Sequence, residues 1–175
     1  MARLPEVLER EKLTPEGAEA FDYVLSTRGR VGVPFSVLLN RPQACRRVAE
    51  VGTYVRFESS LPRPIIELAT ITAAREWDCD FEWRAHLPAA RETGASDAVI
   101  SAIENKSALA GVDAEQALIV EAVRGLLREH RLDDDTYKQL LEKYGPEGVI
   151  DLITTVGYYA MLGGLINALE IVRPG

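Results

Sequence analysis

The feature that most constrains this chain is a run near its end, residues 149–169, that is apolar apart from Asp151, Thr154, Thr155, Asn167 and a few small residues. A helix apolar nearly all round either crosses a bilayer or runs through the middle of a bundle, since only those surroundings cover it. Placing an ionised Asp151 in hydrocarbon costs about 2.5–3.5 kcal/mol even on the mildest insertion scale. The sequence therefore predicts a buried central helix and no membrane span. Gly157, Gly163 and Gly164 lie on it, where they would let another subunit approach closely.

The rest of the chain reads as helices. Residues 1–12 are charged and without periodicity, an arm or a short turn. Thr14-Pro15 is a helix start, and Gly29 to Gly32 end that helix. A short helix over 35–40 follows, then a longer one from Pro42 to about Phe57 with Val48, Val51 and Val55 on one face. Pro62 and Pro64 bracket the next start, after which Glu67, Thr70, Ala74 and Trp77 recur at helical intervals. Past the acidic break Trp-Asp-Cys-Asp, a helix should run to about Thr93, with Gly94 just beyond its end. Ser96 caps a helix to about Asn105, and Asp113-Ala-Glu-Gln116 is a capping-box variant opening one to His130. Asp133 to Asp135 cap a helix to Tyr144, Gly145-Pro146 breaks the pattern, and the last helix runs from Glu147 to about Val172. No stretch alternates with period two over strand length, so the fold class is all-α. At 175 residues the chain is expected to form one domain, with its core over about 39–172.

A net charge of −7 argues against a nucleic-acid surface, whose counterion release needs clustered cations; the densest cluster is Arg46 and Arg47. Two cysteines, Cys45 and Cys79, fit a reducing cytoplasm better than a disulfide scaffold. Cys45 reads as a buried small apolar residue.

The chemistry concentrates in residues 67–86. Cys79, Glu82 and His86 stand at i, i+3 and i+7 and share one helix face. A short connection before Cys79 makes the two helices antiparallel, and counting back from a turn near Asp78 puts Glu67 opposite His86 and Ala89. A Glu-His pair one turn apart is a general acid or base near neutral pH. Cys79, in the first helical turn, feels a dipole that favours thiolate and neighbouring acids that oppose it. Trp77, Phe81 and Trp83 read as core or pocket wall, and Tyr158 and Tyr159 are placed to bring a hydroxyl to the pocket from the last helix, with Tyr158 the candidate taken. His130 reads as a surface residue compensating a helix end. Glu67, Cys79, Glu82 and His86 include metal-donor types but match no standard set, so no metal is expected, nor any other cofactor.

The pattern Glu67, twelve residues, then Cys79-x-x-Glu82-x-x-x-His86 resembles the carboxymuconolactone decarboxylase and alkylhydroperoxidase D-like superfamily. The likeness runs from about Leu39 to Leu169; LNRPQACRRVAEVGTYVRFESSLP is similar to the lead-in helix and GYYAMLGGLINALEI to the closing one. In the alkylhydroperoxidase branch the motif carries a second cysteine, the two form a redox disulfide, and Glu and His relay protons. Here Glu82, followed by Trp83, stands in the second cysteine's place, as in the decarboxylase-like branch. The resemblance implies a helical bundle forming homo-oligomers, trimers or hexamers, with Glu67, Cys79, Glu82 and His86 as catalytic residues and a small molecule as substrate.

Three functions follow from the motif and the resemblance. One is cofactor-free decarboxylase or lyase chemistry on a small carboxylated substrate, with His86 as acid or base and both glutamates orienting it; Arg84 and Arg91 are near in sequence, but neither shares the His86 face closely. Another is peroxide reduction at Cys79 alone, resolved by an external thiol. The third is a non-catalytic oligomeric binding protein.

Overall fold

The computed structural model describes residues 2–172, which are helical with no strand. They divide into two compact units, one made of the described residues up to Phe57 together with those from Leu165 on, the other of Glu58–Gly164.

In the first unit, α1 (Pro15–Arg28) begins where the Thr14 hydroxyl accepts the Gly17 N–H and Pro15 supplies the preset first φ. It ends at Gly29, whose φ of 72° is a left-handed conformation that suits glycine. A short α2 (Phe35–Leu38) follows, then α3 (Pro42–Thr53), which packs on α1. The expected valine face is buried only in part: Val55 is fully buried and Val48 packs half-buried against the core, while Val51 is 40 % exposed. Cys45, Ala49 and Gly52 make up the buried face of α3 itself, small residues that let α1 and α3 close on each other. Cys45 is fully buried among Ala20, Val24, Phe35 and Leu39, as expected of it, and burial pushes its thiol up to about 11. The arm is docked: the Val7 N–H donates to the Ser36 carbonyl, and Arg3 donates to the Ala168 carbonyl.

The second unit is built around α4 (Arg63–Glu76). Ile65, Ile66 and every residue from Leu68 to Ala74 are buried. Thr70 and Thr72 fit such a helix because each hydroxyl donates back to a carbonyl four residues earlier, at 2.7 Å. Against α4 pack α5 (Asp80–Glu92), α6 (Asp97–Glu104) and α7 (Ala114–Arg124). Ser96 caps α6 through the Val99 N–H. Asp113 caps α7 through the Glu115 and Gln116 N–H groups, but Gln116 does not complete a capping box; its amide is engaged with Ser96 and the Gly94 carbonyl, tying α7 to the end of α5. A π-helical turn, Gly125–Glu129, extends α7 to the exposed, left-handed His130.

The last element, α8 (Asp134–Ala168), contains the expected break, since Gly145 has φ 67° and ψ −179° ahead of Pro146. It ends four residues before the expected Val172. By length and composition it is apolar enough to cross a membrane, yet 56 % of its most apolar stretch is buried within the protein. Asp151 is 2 % exposed and accepts from the Ser59 hydroxyl at 3.1 Å and from the Ser60 N–H and hydroxyl, each at 2.7 Å. Gly163 and Gly164 serve contacts inside the chain. A Cβ on Gly163 would stand 3.1 Å from the Trp77 Cβ, so the Trp77 side chain lies directly on the helix backbone.

Asp151→Ala strips the acceptor from these three donors in a buried setting and should cost about 3 kcal/mol. The urea midpoint should fall with little change in slope. A loss under about 0.5 kcal/mol, the scale of an ordinary surface change, would show that the carboxylate does not anchor residues 59–60.

Candidate active site

The turn between α4 and α5 is three residues long, with Asp78 left-handed at φ 49°. The Cys79 N–H donates to the Ala74 carbonyl at 2.8 Å and the Cys79 carbonyl accepts from the Trp83 N–H, so Cys79 caps α5 rather than standing within its first turn. The helices run antiparallel, as the short connection requires, and Glu67 meets His86 as counted from the sequence. Nδ1 of His86 lies 2.8 Å from a Glu67 oxygen. On the other side of the ring, Nε2 lies 3.3 Å from the Tyr159 hydroxyl and 3.5 Å from a Glu82 oxygen.

A carboxylate only accepts, so Nδ1 carries its hydrogen toward Glu67. Nε2 is then the nitrogen that exchanges a proton, and in the neutral ring it accepts from Tyr159. The Tyr159 ring stands edge-on to the imidazole, with centroids 5.1 Å apart at 79°, and closes that side by packing as well. Side-chain exposure falls from 15 % at His86 and 13 % at Glu67 to 6 % at Glu82. The triad thus has one side toward solvent and Glu82 inside.

Of the two tyrosines the sequence offers, it is Tyr159 whose hydroxyl meets His86; Tyr158, the one preferred from the sequence, packs its ring edgewise against Tyr159 at 5.1 Å. The two project about 100° apart on a helix, and an apolar pattern all round leaves the phase of α8 undetermined. Trp83 is buried, with the Arg75 guanidinium 4.4 Å above its ring, a packing that holds it in the wall of α5. Among the described residues no group of three or more His, Cys, Asp or Glu side chains is arranged to hold a metal ion.

Residues 42–123 match the model of the carboxymuconolactone decarboxylase family. Over that stretch the chain is similar to the carboxymuconolactone decarboxylase family. No curated protein matches the sequence. Solved structures share the fold at low identity. One is an alkylhydroperoxidase AhpD core, an uncharacterized peroxidase-related protein from Ralstonia eutropha JMP134, with a TM-score of 0.79 and 17 % identity over 99 % of this chain and 92 % of that one. A second is an uncharacterized peroxidase-related protein from Silicibacter sp. TM1040, with a TM-score of 0.74 and 14 % identity over 98 % of this chain and 93 % of that one.

Within this superfamily's motif, Cys79 is the member that the structure seals off. It is fully buried, beside the point where Gly163 of α8 comes close. Burial is the main force holding its thiol pKa above the ordinary 9.0, and the charges of Glu82 and Asp80 add to it. The backbone N–H groups of Glu82 and Phe81 pull the other way, and burial outweighs them. Both cysteines are free thiols.

A raised pKa means less thiolate at any given pH, so in a Cys45→Ala background Cys79 should react with iodoacetamide far more slowly than a small thiol at pH 7. Its rate should climb only as pH passes above 9.0, the ordinary value. Intact mass read over time at several pH values would measure this; labelling at neutral pH as fast as that of free cysteine would contradict it.

Proposed function

We propose that this chain is a cofactor-free acid–base enzyme of decarboxylase or lyase type acting on a small carboxylated molecule. The observation that carries the reading is the clasp on His86, with Glu67 fixing one nitrogen and Tyr159 and Glu82 flanking the other. The Glu67 bond sets the tautomer, which leaves Nε2 to move the proton. In the forward step the C–C bond to a substrate carboxylate breaks and its electron pair stays on carbon as a carbanion or enolate while CO₂ leaves. The proton on Nε2 then passes to that carbon, and the imidazole takes another from solvent. Glu67 stabilises the imidazolium before it gives up this proton and again after it is recharged, as a carboxylate against an imidazolium does in a low-dielectric setting.

A second reading keeps to the thiol. The relatives named as peroxidase-related favour it, as do the two N–H groups directed at Cys79. Its balanced form has the Cys79 sulfur take one oxygen from a hydroperoxide, giving sulfenic acid and an alcohol, after which two external thiols return the cysteine with release of water and a disulfide. Burial of the thiol and its raised pKa count against this as the main activity. We place the chain in a reducing cytoplasm, to which its two free thiols are suited, and as a homo-oligomer, trimer or hexamer. Supporting the latter, Ile150, Ile153, Gly157 and Met161 leave one stripe of α8 apolar and exposed. Such a stripe on a soluble surface suits a second copy.

A screen of small carboxylated lactones and keto acids, read by CO₂ release and by deuterium uptake from solvent, should find a substrate whose turnover His86→Gln lowers about 10²–10⁴-fold. Cys79→Ser should leave that turnover within about threefold, a change of well under the 1.36 kcal/mol that a tenfold effect represents. Turnover unchanged by His86→Gln would reject the acid–base reading, and thiol-dependent peroxide consumption lost in Cys79→Ser would install the second one. Ile153→Glu together with Met161→Glu should reduce the mass in size-exclusion chromatography with light scattering; an unchanged mass would remove the α8 stripe from the interface.

A further inference from the structure

The reaction proposed above leaves a charge problem that the residues of the clasp do not solve. Glu67 and Glu82 both approach His86, so an anionic substrate entering this site meets two carboxylates and one imidazole. Coulomb repulsion alone would keep it out, and Arg91 is engaged elsewhere, with Asp97 at 2.9 Å. The structure supplies a cation from the other helix. Arg63 stands one turn before Glu67 on α4, and its Nε is 4.0 Å from the second oxygen of Glu67, the one not bonded to His86. Its Nη2 is 3.5 Å from Glu92, in the last turn of α5.

Exposure orders these groups along one line. Arg63 and Glu92 are 63 % and 72 % exposed, Glu67 and His86 are nearly buried, and Glu82 is deepest. Arg63 is thus the cation at the solvent end of this group. The contacts that Arg63 makes are loose, at 3.5 and 4.0 Å, and an exposed ion pair of that kind is worth little. Exchanging them for a two-point bond to a substrate carboxylate is therefore favourable, because guanidinium and carboxylate match in a planar, bidentate geometry.

We propose that Arg63 is the specificity-determining residue of this site, binding a carboxylate that the substrate retains, and that Glu92 is the resting counter-ion which that carboxylate displaces. This rests on the acid–base reading for the identity of the site but not for the binding itself. The substrate class is narrowed accordingly to small molecules bearing one carboxylate for Arg63 and a second group able to lie against Nε2 of His86.

The two claims separate in a binding experiment that needs no turnover. Succinate and benzoate, with neutral succinamide as control, are titrated into the full chain carrying ¹⁵N-histidine, and the ring signals of His86 are followed by NMR. Either acid should shift them while succinamide does not. Arg63→Gln should weaken that anion about tenfold or more, as loss of a charged hydrogen-bond partner does, and Arg63→Lys should restore only part of the loss. Glu92→Gln should tighten it about two- to fivefold by removing the competitor, a gain that a merely structural role for Arg63 would not produce. No shift with either acid, equal shifts with succinamide, or undiminished affinity in Arg63→Gln would each overturn the assignment. If the anion binds through Arg63 while His86→Gln leaves turnover intact, the acid–base reading fails and the binding role stands.

Discussion

The contact on which the second unit depends is that of Trp77 with the backbone of α8 at Gly163 and Gly164. A Cβ at Gly163 would stand 3.1 Å from the Trp77 Cβ, tighter than an ordinary contact, so glycine lets the indole lie on the helix without displacement. Gly163 is one turn after Tyr159 and on the same face. Seating Gly163 under Trp77 thus also turns Tyr159 inward and settles which of two adjacent tyrosines meets His86. Trp77 ends α4, and the next two residues lead into α5. One close approach fixes both the turn that brings Glu67 to His86 and the phase of the helix that closes the site.

Asp151 adds a second point of registration. It lies eight residues before Tyr159, a little over two turns, and its carboxylate gathers Ser59 and Ser60 just ahead of α4. A buried carboxylate is costly unless its lone pairs are filled, and here three donors fill them. With Asp151 holding the entry to α4 and Gly163 receiving its exit, α8 is attached at both ends of the helix that carries Glu67. The residue that argued against a membrane span is thus also one that aligns the site.

Local signals carried most of the fold. Thr14-Pro15, Ser96, Asp113, Asp133 and Gly145-Pro146 are read from sequence because capping and backbone φ depend on immediate neighbours, and each marks a boundary in the structure. The Glu67–His86 pairing was legible for a related reason, since a three-residue turn leaves little freedom in register. What was not legible depends on contacts distant in sequence. Val51 faces outward because α3 closes on α1 through Cys45, Ala49 and Gly52, and hydrophobicity alone cannot reveal that the smaller residues are the ones required. Gly163 and Gly164 signal a close approach without naming the partner, which within the chain is Trp77. The choice of Tyr159 over Tyr158 and the place of Arg63 escape the sequence similarly, because one depends on the phase of α8 and the other gains meaning only once α4 and α5 lie side by side.

The two chemistries weighed for this site compete for the same electrostatics. A reactive thiol at Cys79 needs the N–H groups at the start of α5 to outweigh desolvation, which they do not, and the charge of Glu82 three residues along adds to the burial that opposes it. The same Glu82 approaches Nε2 of His86, where negative charge stabilises an imidazolium rather than opposing the reaction. A residue that makes one chemistry harder makes the other easier, and it stands at the position where a dithiol enzyme would carry its second sulfur. Glu82 is moreover nearly buried, so its charge is weakly screened by salt and acts on both neighbours at once. Neutralising Glu82 would relieve one of the forces that raise the Cys79 pKa, burial being the largest, and would at the same time remove one of the two carboxylates attending His86.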